Sequence, residues 1–190
     1  VYELDTPGHS IHDVWIEDGI AYSSNWADGI VAVDIGAKKH KESDRSKSQF
    51  NPLLAKAGQG SPSNPVKLAE MKDPTGRNHA AFPYLNEETG QFYIIGGDEN
   101  FPWGVQATKN KPSNPRGGYH FMNFTDPNNP REDAIYEVPE AGSHNLWIYG
   151  DILLAGNYQG GLRIVDISGE LLGDIYKQGR EIAHYLSYHK

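Results

Sequence analysis

The sequence contains no cysteine in its 190 residues. Disulfide bonds, thiolate metal ligands and a cysteine nucleophile are therefore excluded. No apolar run approaches the ~20 residues that a membrane-spanning helix needs, so no transmembrane segment is predicted. The first residues, "VYELDTPG", are typical of a strand rather than of a basic and apolar leader, and we expect further sequence upstream.

Positive charge is also scarce. Lys and Arg number 17 against 25 Asp and Glu, and the net charge of -8 argues against nucleic acid as the main partner. Residues 37–65 are the exception, with six basic and two acidic side chains. This basic loop could meet an acidic surface, although a solvated, flexible insertion is the favoured interpretation. The sequence has no P-loop, nucleophile elbow or His-Glu helix motif.

An internal repeat is the clearest feature of the chain. Residues 12–35 align without a gap to residues 144–167, and nine of the 24 positions are identical. A looser copy starts at His79, so the histidines that open the three copies are 67 and 65 residues apart. Each copy contains short β-branched and aromatic segments separated by Gly and Asp, which predicts strands joined by turns.

Four short antiparallel strands in each of several repeated units are typical of β-propeller blades. We therefore predict an all-β fold, a propeller arc of about three four-stranded antiparallel blades. Closed propellers have about four to eight blades, so the arc would be part of a larger or incomplete propeller. A small sandwich of the same strands is the alternative. Only "LLAKAG" has a helical pattern.

The expected units follow the copies of the repeat. They are the outer strand of a preceding blade (1–8), a blade with a polar insertion at 37–65 (9–76), a blade with an insertion at 104–117 (77–142), and a blade with an exit segment (143–190).

Three segments resemble a known family. "IVAVDI", "LRIVDISGE" and "NFTDPNNP" resemble the LVIVD repeat of predicted bacterial secreted or cell-envelope β-propeller proteins. The resemblance covers nearly all of the chain outside the two insertions. It implies a propeller and a periplasmic or extracellular setting, and it implies no reaction. Asn123 stands in the middle copy where the other copies have the repeat's aspartate.

The repeated histidines are the best candidates for a site. His12, His79 and His144 hold equivalent positions, and equivalent positions on inner strands point toward one axis. Three imidazoles there could hold Zn or Cu and leave a position open for water or substrate. Glu99, at the end of "IIGGDEN", could supply a carboxylate ligand, and its neighbour Asp98 a ligand contact or general base.

A structural role is the competing interpretation, and the sequence favours it slightly. Each histidine follows a turn glycine by two to four residues, which is a hinge location between strands. The aromatic residue three positions after each histidine is expected in the core between blades. These residues are Trp15, Phe82 and Trp147.

Two further pairs repeat at fixed distances. Asn25 and Asn157 are expected in hairpin turns, because Asn tolerates left-handed backbone. Asp34 and Asp166 are expected to accept backbone hydrogen bonds at strand ends. The remaining histidines, His120 among them, have no support from the repeat.

Two functions remain open from the sequence. The first is an extracytoplasmic binding or assembly module with a protein partner, a subunit of a larger envelope complex. Phe101 and Trp103, in the loop "ENFPWG", would then contact the ligand or partner together with Asp98. The alternative is a metal-dependent hydrolase, lyase or oxidase that uses the histidines. A third function, carbohydrate binding through Trp26, Tyr158 and Trp103, has less support.

Overall fold

A computed structural model describes residues 11–39, 50–100, 117–139, 141–158 and 160–186. These residues form three antiparallel sheets of four or five strands, none of them closed into a barrel. The all-β prediction is therefore confirmed. Among the described residues no helix has the length and apolar character to cross a membrane. The predicted strand at 1–8 and the loop residues Phe101 and Trp103 lie outside the described residues.

The sheets follow one another along the chain. The first contains β1 Asp13–Glu17, β2 Ile20–Ser24, β3 Ile30–Asp34 and β4 Val66–Met71, in that order. The second contains β5 Asn78–Asn86, β6 Gln91–Asp98, β7 Tyr119–Asn123 and β8 Arg131–Tyr136, with the short β12 Gly173–Asp174 added parallel to β8. The third contains β9 Ser143–Tyr149, β10 Ile152–Asn157, β11 Gly161–Asp166 and β13 Glu181–Tyr185, in the order β13-β11-β10-β9.

The sequence repeat corresponds to a repeat of strand register. Trp15 pairs with Tyr22 in the first sheet, and the residues 132 positions later, Trp147 and Leu154, pair in the third. Pairing of β2 with β3 is likewise matched by pairing of β10 with β11. Residues that are equivalent in the alignment therefore occupy equivalent places in the sheets, and we call such residues counterparts.

The second sheet lies between two hydrophobic cores. Phe92 and Ile94 of β6 pack with residues of the first sheet, such as Tyr22. The alternate residues Tyr93 and Ile95 pack with residues of the third sheet. Successive side chains of a strand point to opposite faces, so a strand buried on both faces has a continuous apolar run. The run "FYII" in β6 is of this kind.

The first strands of the three sheets bring the repeated aromatic residues together. The ring of Trp15 lies 4.5 Å from that of Phe82 and 5.1 Å from that of Trp147, centroid to centroid. The predicted contact between sheets is therefore present. The triad is not fully enclosed, however, because the side chain of Trp147 is 49% exposed.

The described end of the first insertion is packed onto the first sheet. Residues Pro52–Lys56 form α1, as the pattern of "LLAKAG" predicted, and the Asn51 side chain caps the helix by accepting from the Leu53 amide. Leu53 and Leu54 are buried in the first core. The favoured interpretation of 37–65 as a solvated, flexible insertion is therefore wrong for residues 51–57, most of which are buried, because burial of these leucines stabilises the segment against the sheet. Residues 58–65 are exposed or half-buried.

Asp34 holds the same segment against the first sheet through hydrogen bonds. Its carboxylate accepts five backbone N–H groups, two from the turn after β3 and three from the residues after α1. Burial by itself raises the pKa of a carboxyl group, but these donors outweigh it and lower the pKa of Asp34 to about 2. Asp166 accepts the N–H and hydroxyl of Ser168. The predicted role of both aspartates is confirmed.

Candidate functional site

The three repeated histidines lie side by side where β1, β5 and β9 begin. The ring of His79 is in the middle, 4.0 Å from the ring of His12 and 4.1 Å from that of His144, centroid to centroid. His79 is 5% exposed, whereas His12 is exposed and the His144 side chain is 32% exposed. The central imidazole of the row is therefore buried, and the two outer imidazoles are accessible to solvent.

Glu99 lies beside this row. Its two carboxylate oxygens are 3.9 Å from the Nε2 atoms of His79 and His144, one oxygen to each. The Tyr158 hydroxyl donates to Oε1 of Glu99 at 2.6 Å and so helps to hold the carboxylate. The structure thus brings together all four residues predicted as metal ligands.

At the position of Glu99, the middle copy of the repeat differs from the other two copies. The Glu99 amide donates to the carbonyl two residues before His79, and the Tyr158 amide donates to the carbonyl two residues before His144. Glu99 and Tyr158 are therefore counterparts, and Trp26 is the counterpart in the first sheet. Trp26 and Tyr158 pack edge-on against their own histidines at 4.4 and 5.0 Å. The middle copy has a carboxylate in place of this aromatic ring.

The pKa shifts favour the metal-binding protonation states at neutral pH. Burial, together with the neighbouring His144 and His12, lowers the pKa of His79 to about 4, so its imidazole is neutral. The hydrogen bond from Tyr158, followed by the nearby histidines, keeps the pKa of Glu99 below its ordinary value. Metal ions bind neutral imidazole and ionised carboxylate, so no proton has to be removed from these two groups first.

The tautomer of His12 is also set. Its Nδ1 atom lies 3.2 Å from the carbonyl oxygen of His79. A carbonyl only accepts, so Nδ1 carries the proton and Nε2 of the neutral ring has a free lone pair. A hydrogen bond from the non-ligating nitrogen to a backbone carbonyl is common among histidines that bind metals.

The spacing of the ligand atoms fits a small metal ion. One ligand atom each from His12, His79 and Glu99 lie within 4.8 Å of one another. Ligands bound at about 2.1 Å to a tetrahedral ion lie about 3.4 Å apart. Modest side-chain rotations would close the difference, and the exposed end of His12 leaves room for them.

Buried polar atoms without a hydrogen-bond partner concentrate at the same end of the sheets. Among the described residues there are seven, in the end residues of the strands or in the turns beside them. They belong to Ser24, Asn25, Asp73, Asn78, His79, Asp98 and Ser143. Buried polar groups are nearly always paired, so this end of the molecule has an unusual capacity to bind a polar ligand or ion.

Asp98 does not join the histidine row. Its carboxylate lies 3.0 Å from Nε2 of His120 and is contacted by the Thr75 hydroxyl. Successive side chains of a strand diverge, so Asp98 and Glu99 enter different clusters. Asn25 and Asn157 lie at strand ends and donate to backbone carbonyls near their hairpins. The predicted left-handed backbone is absent from both residues, and in the first copy it belongs to Trp26, with φ of 51°.

The sequence missed several residues of this region. Arg77 donates to the carbonyl of Glu99 and lies 5.5 Å from the ring of Trp26. Trp26 and Tyr158 were noticed only as candidates for carbohydrate binding, and His120 was set aside. One signal was available for Tyr158, because it follows Asn157 at the same repeat position at which Glu99 follows Asp98.

A cleft of about 370 Å³ adjoins the row on the side of the third sheet. His144, Asn157 and Tyr158 line it, together with Leu162 and Tyr185. A small molecule in this cleft would lie against the exposed end of the row. No protein-family model, curated protein or solved structure matches the chain.

Proposed function

We propose that this protein is a metal-binding β-propeller module, in which His12, His79 and Glu99 hold one Zn²⁺ or Cu²⁺ ion with His144 beside them. The observation that carries the proposal is the convergence of three repeat-equivalent imidazoles on one carboxylate. A purely structural histidine row does not need Glu99, because the first and third sheets place an aromatic ring at that position. Nitrogen and oxygen donors of this kind suit Zn²⁺ and Cu²⁺.

The three sheets would be successive blades of a propeller arc. Their first strands β1, β5 and β9, each at one edge of its sheet, carry the aromatic triad and the histidine row, as neighbouring inner strands around one axis do. The resemblance to the LVIVD repeat supports the same arrangement and a periplasmic or extracellular setting.

A bound ion with three protein ligands would have an open coordination position. Metal-bound water is a nucleophile near neutral pH, and the adjoining cleft could receive a substrate. Hydrolase, lyase and oxidase chemistry all remain compatible with such a site. Tyr158 would act as a positioning residue, because it holds the Glu99 carboxylate by one hydrogen bond.

Removal of one ligand tests the metal site. We expect His12→Ala to weaken Zn²⁺ binding at this site at least about 100-fold, and Tyr158→Phe to weaken it about 10-fold. His12 is exposed, so its loss should leave the fold intact. Isothermal titration of chelator-treated protein with Zn²⁺ and with Cu²⁺ measures both effects.

The matched control for this titration is His184→Ala. His184 is exposed on the third sheet and pairs with Glu181, outside the row. This variant should bind like the wild type. Equal binding by the His12→Ala variant and the wild type, or no binding of either ion by the wild type, would exclude the metal site.

A second candidate function, assembly with a protein partner, is favoured by the outer face of the third sheet. Trp147, Tyr149, Leu162 and Tyr185 share one face by the strand register, and their side chains are 38–79% exposed. Exposed apolar patches often mark interaction surfaces. Acidic partners for the basic residues 37–65 belong to the same hypothesis.

The assembly hypothesis predicts a change in oligomeric state or partner binding when this face is made polar. We expect Tyr149→Lys combined with Tyr185→Lys to abolish concentration-dependent self-association in light scattering after size-exclusion chromatography. Lys177→Tyr, at an exposed residue, serves as the control. The neighbouring Tyr176 is unsuitable because it packs on a core. Unchanged association in the double variant would contradict a role for this face.

A further inference from the structure

A second cluster of titratable side chains lies beside the second sheet. Asp73, in the connection between β4 and β5, offers a ligand atom within 4.8 Å of others from Asp98 and His120. All three residues are buried, with exposed fractions of 6%, 0% and 1%. None of them belongs to the histidine row. Buried charges are costly unless they are paired, so this cluster requires an explanation.

His120 is held between carboxylates. Its Nε2 atom lies 3.0 Å from Oδ2 of Asp98, and its Nδ1 atom lies 2.5 Å from Oε1 of Glu132. Metal-ligating histidines commonly have this arrangement, with one nitrogen at the ion and the other donating to a carboxylate. Without an ion both nitrogens face carboxylate oxygens. Burial alone would lower the pKa of His120, but the hydrogen bonds to Asp98 and Glu132 outweigh it and raise the pKa to about 10. A metal ion at Nε2 would therefore replace the proton between His120 and Asp98, while Glu132 keeps the ring in place.

Two carboxylate oxygens of the cluster have no hydrogen-bond partner among the described residues. They are Oδ2 of Asp73 and Oδ1 of Asp98. The other oxygen of each group is satisfied, because Asp73 Oδ1 accepts the N–H groups of Thr75 and Gly76, and Asp98 Oδ2 faces His120. One oxygen of each of the two carboxyl groups lies within 4.8 Å of the other. Like charges this close need a proton or a cation between them.

The repeat indicates that the fold does not require this carboxylate pair. Asp98 takes the position of Asn25 and Asn157, which directly precede the counterparts of Glu99. Both asparagines donate to the backbone of their own hairpins, which a carboxylate cannot do. The middle copy therefore has a buried acid where the other two copies have a neutral amide.

Comparison with the third sheet shows which part of the cluster is repeated and which part is not. It has Arg163, paired with Glu181 at 3.2 Å, at the counterpart position of His120. A cation facing a glutamate of the last strand is thus shared by both sheets. The apposed carboxyl groups of Asp73 and Asp98 are an addition to this shared pair.

We propose that Asp73, Asp98 and His120 form a second metal site, which binds a divalent transition metal such as Mn²⁺ or Zn²⁺. Two carboxylates and one imidazole suit these ions, whereas the histidine-rich row suits Zn²⁺ and Cu²⁺. Oδ2 of Asp73, Oδ1 of Asp98 and Nε2 of His120 are the ligand atoms, and Glu132 orients the imidazole. The site shares no ligand with the histidine row and does not depend on the proposed function of that row.

The test uses Asp73→Asn. The amide oxygen can still accept from Thr75 and Gly76, and the amide NH₂ can donate to Oδ1 of Asp98 in place of the ion. We therefore expect the metal-free variant to be at least as stable as the wild type. We also expect its binding of Mn²⁺, followed by electron paramagnetic resonance, to be at least about 100-fold weaker.

Zn²⁺ stoichiometry distinguishes this site from the histidine row. With both sites present, wild type should bind two ions, His12→Ala one, Asp73→Asn one, and the double variant none. Asp126→Asn, an exposed turn residue of the same sheet, is the matched control and should bind two. If Asp73→Asn binds Mn²⁺ as tightly as the wild type, the second site is excluded, whatever happens at the row.

A measurement on the wild type alone covers the case in which the variant fails to fold. Mn²⁺ added to ¹⁵N-labelled protein should broaden the amide signals of Thr75 and Gly76 before those of exposed acidic turns such as Asp126. Preferential broadening supports the site. Its absence would overturn the proposal and would leave a proton shared by the two carboxyl groups as the explanation of the cluster.

Discussion

Asp34→Asn is expected to lower the free energy of unfolding by about 3–5 kcal/mol. The wild-type carboxylate accepts five backbone N–H groups. A single hydrogen bond to a charged acceptor stabilises a protein by about 1.5–3 kcal/mol, but several bonds to the same group do not add in full. The amide of Asn keeps one acceptor oxygen and turns an NH₂ group toward the remaining donors. Urea unfolding followed by tryptophan fluorescence gives the difference.

The repeat supplies the control for this prediction. Asp166 is the counterpart of Asp34, but its carboxylate accepts hydrogen bonds from Ser168 alone among the described residues and lies 3.8 Å from Arg180. Asp166→Asn should therefore cost only about 1 kcal/mol. Equal losses in the two variants would contradict the view that the fastening of residues 58–60 gives Asp34 its larger effect.

The fall of the free energy of unfolding at acid pH gives a second measurement on Asp34. The folded protein keeps the pKa of this group near 2, below the ordinary value of 3.8. A lowered folded-state pKa stabilises the protein above the unfolded-state value, and this contribution is lost as the pH falls from about 4 toward 2. The part of the acid destabilisation that comes from Asp34 should be missing in Asp34→Asn.

Gly29→Ala is expected to cost about 3–4 kcal/mol. Gly29 has φ of 80°, and a Cβ atom there would lie 2.2 Å from the carbonyl oxygen of Met71 and 2.3 Å from the amide nitrogen of Asp73. The left-handed backbone accounts for about 1–2 kcal/mol and the clash for about 1–3 kcal/mol. The counterpart Gly161 has φ of 68° and a carbonyl at 2.3 Å, so Gly161→Ala should behave alike.

Gly90→Ala separates the two causes. Gly90 has φ of 70°, but a Cβ atom there would meet nothing within 4 Å. This variant carries the backbone strain without the clash, and we expect a loss of about 1–2 kcal/mol in the same unfolding assay. A loss at Gly90 as large as that at Gly29 would show that backbone strain alone explains why the repeat retains its glycine.

Most identical positions of the repeat are explained by their structural roles in the sheets. Gly29 and Gly161 let the third strand approach the fourth, and Asp34 and Asp166 close the turn after the third strand. The positions at which the middle copy departs from its neighbours have a different meaning. Asp98 and Glu99 replace an amide and an aromatic ring, and each carboxylate lies in one of the two candidate metal sites.

Sequence alone determined most of the strands, the order of the first three in each unit and the equivalence of the three histidines. It predicted neither β12, which joins the second sheet, nor β13, which falls in the predicted exit segment. The predicted features follow from local alternation, turn residues and an alignment without gaps, all of which are properties of short stretches of chain. The short helix at "LLAKAG" was predicted for the same reason. Close approach of the histidines also followed, because counterparts in successive sheets meet when their first strands are neighbours.

Only the tertiary structure decided which groups the histidines and aspartates meet. Consecutive side chains at the end of β6 diverge, so Asp98 pairs with His120 while Glu99 faces His79. The partners come from other strands, 22 and 20 residues away along the chain, and no periodicity encodes such distances. Asp34 likewise reaches residues 58–60 across the insertion. Strand register and the packing of sheet on sheet set these contacts, and they depend on the whole chain rather than on a local pattern.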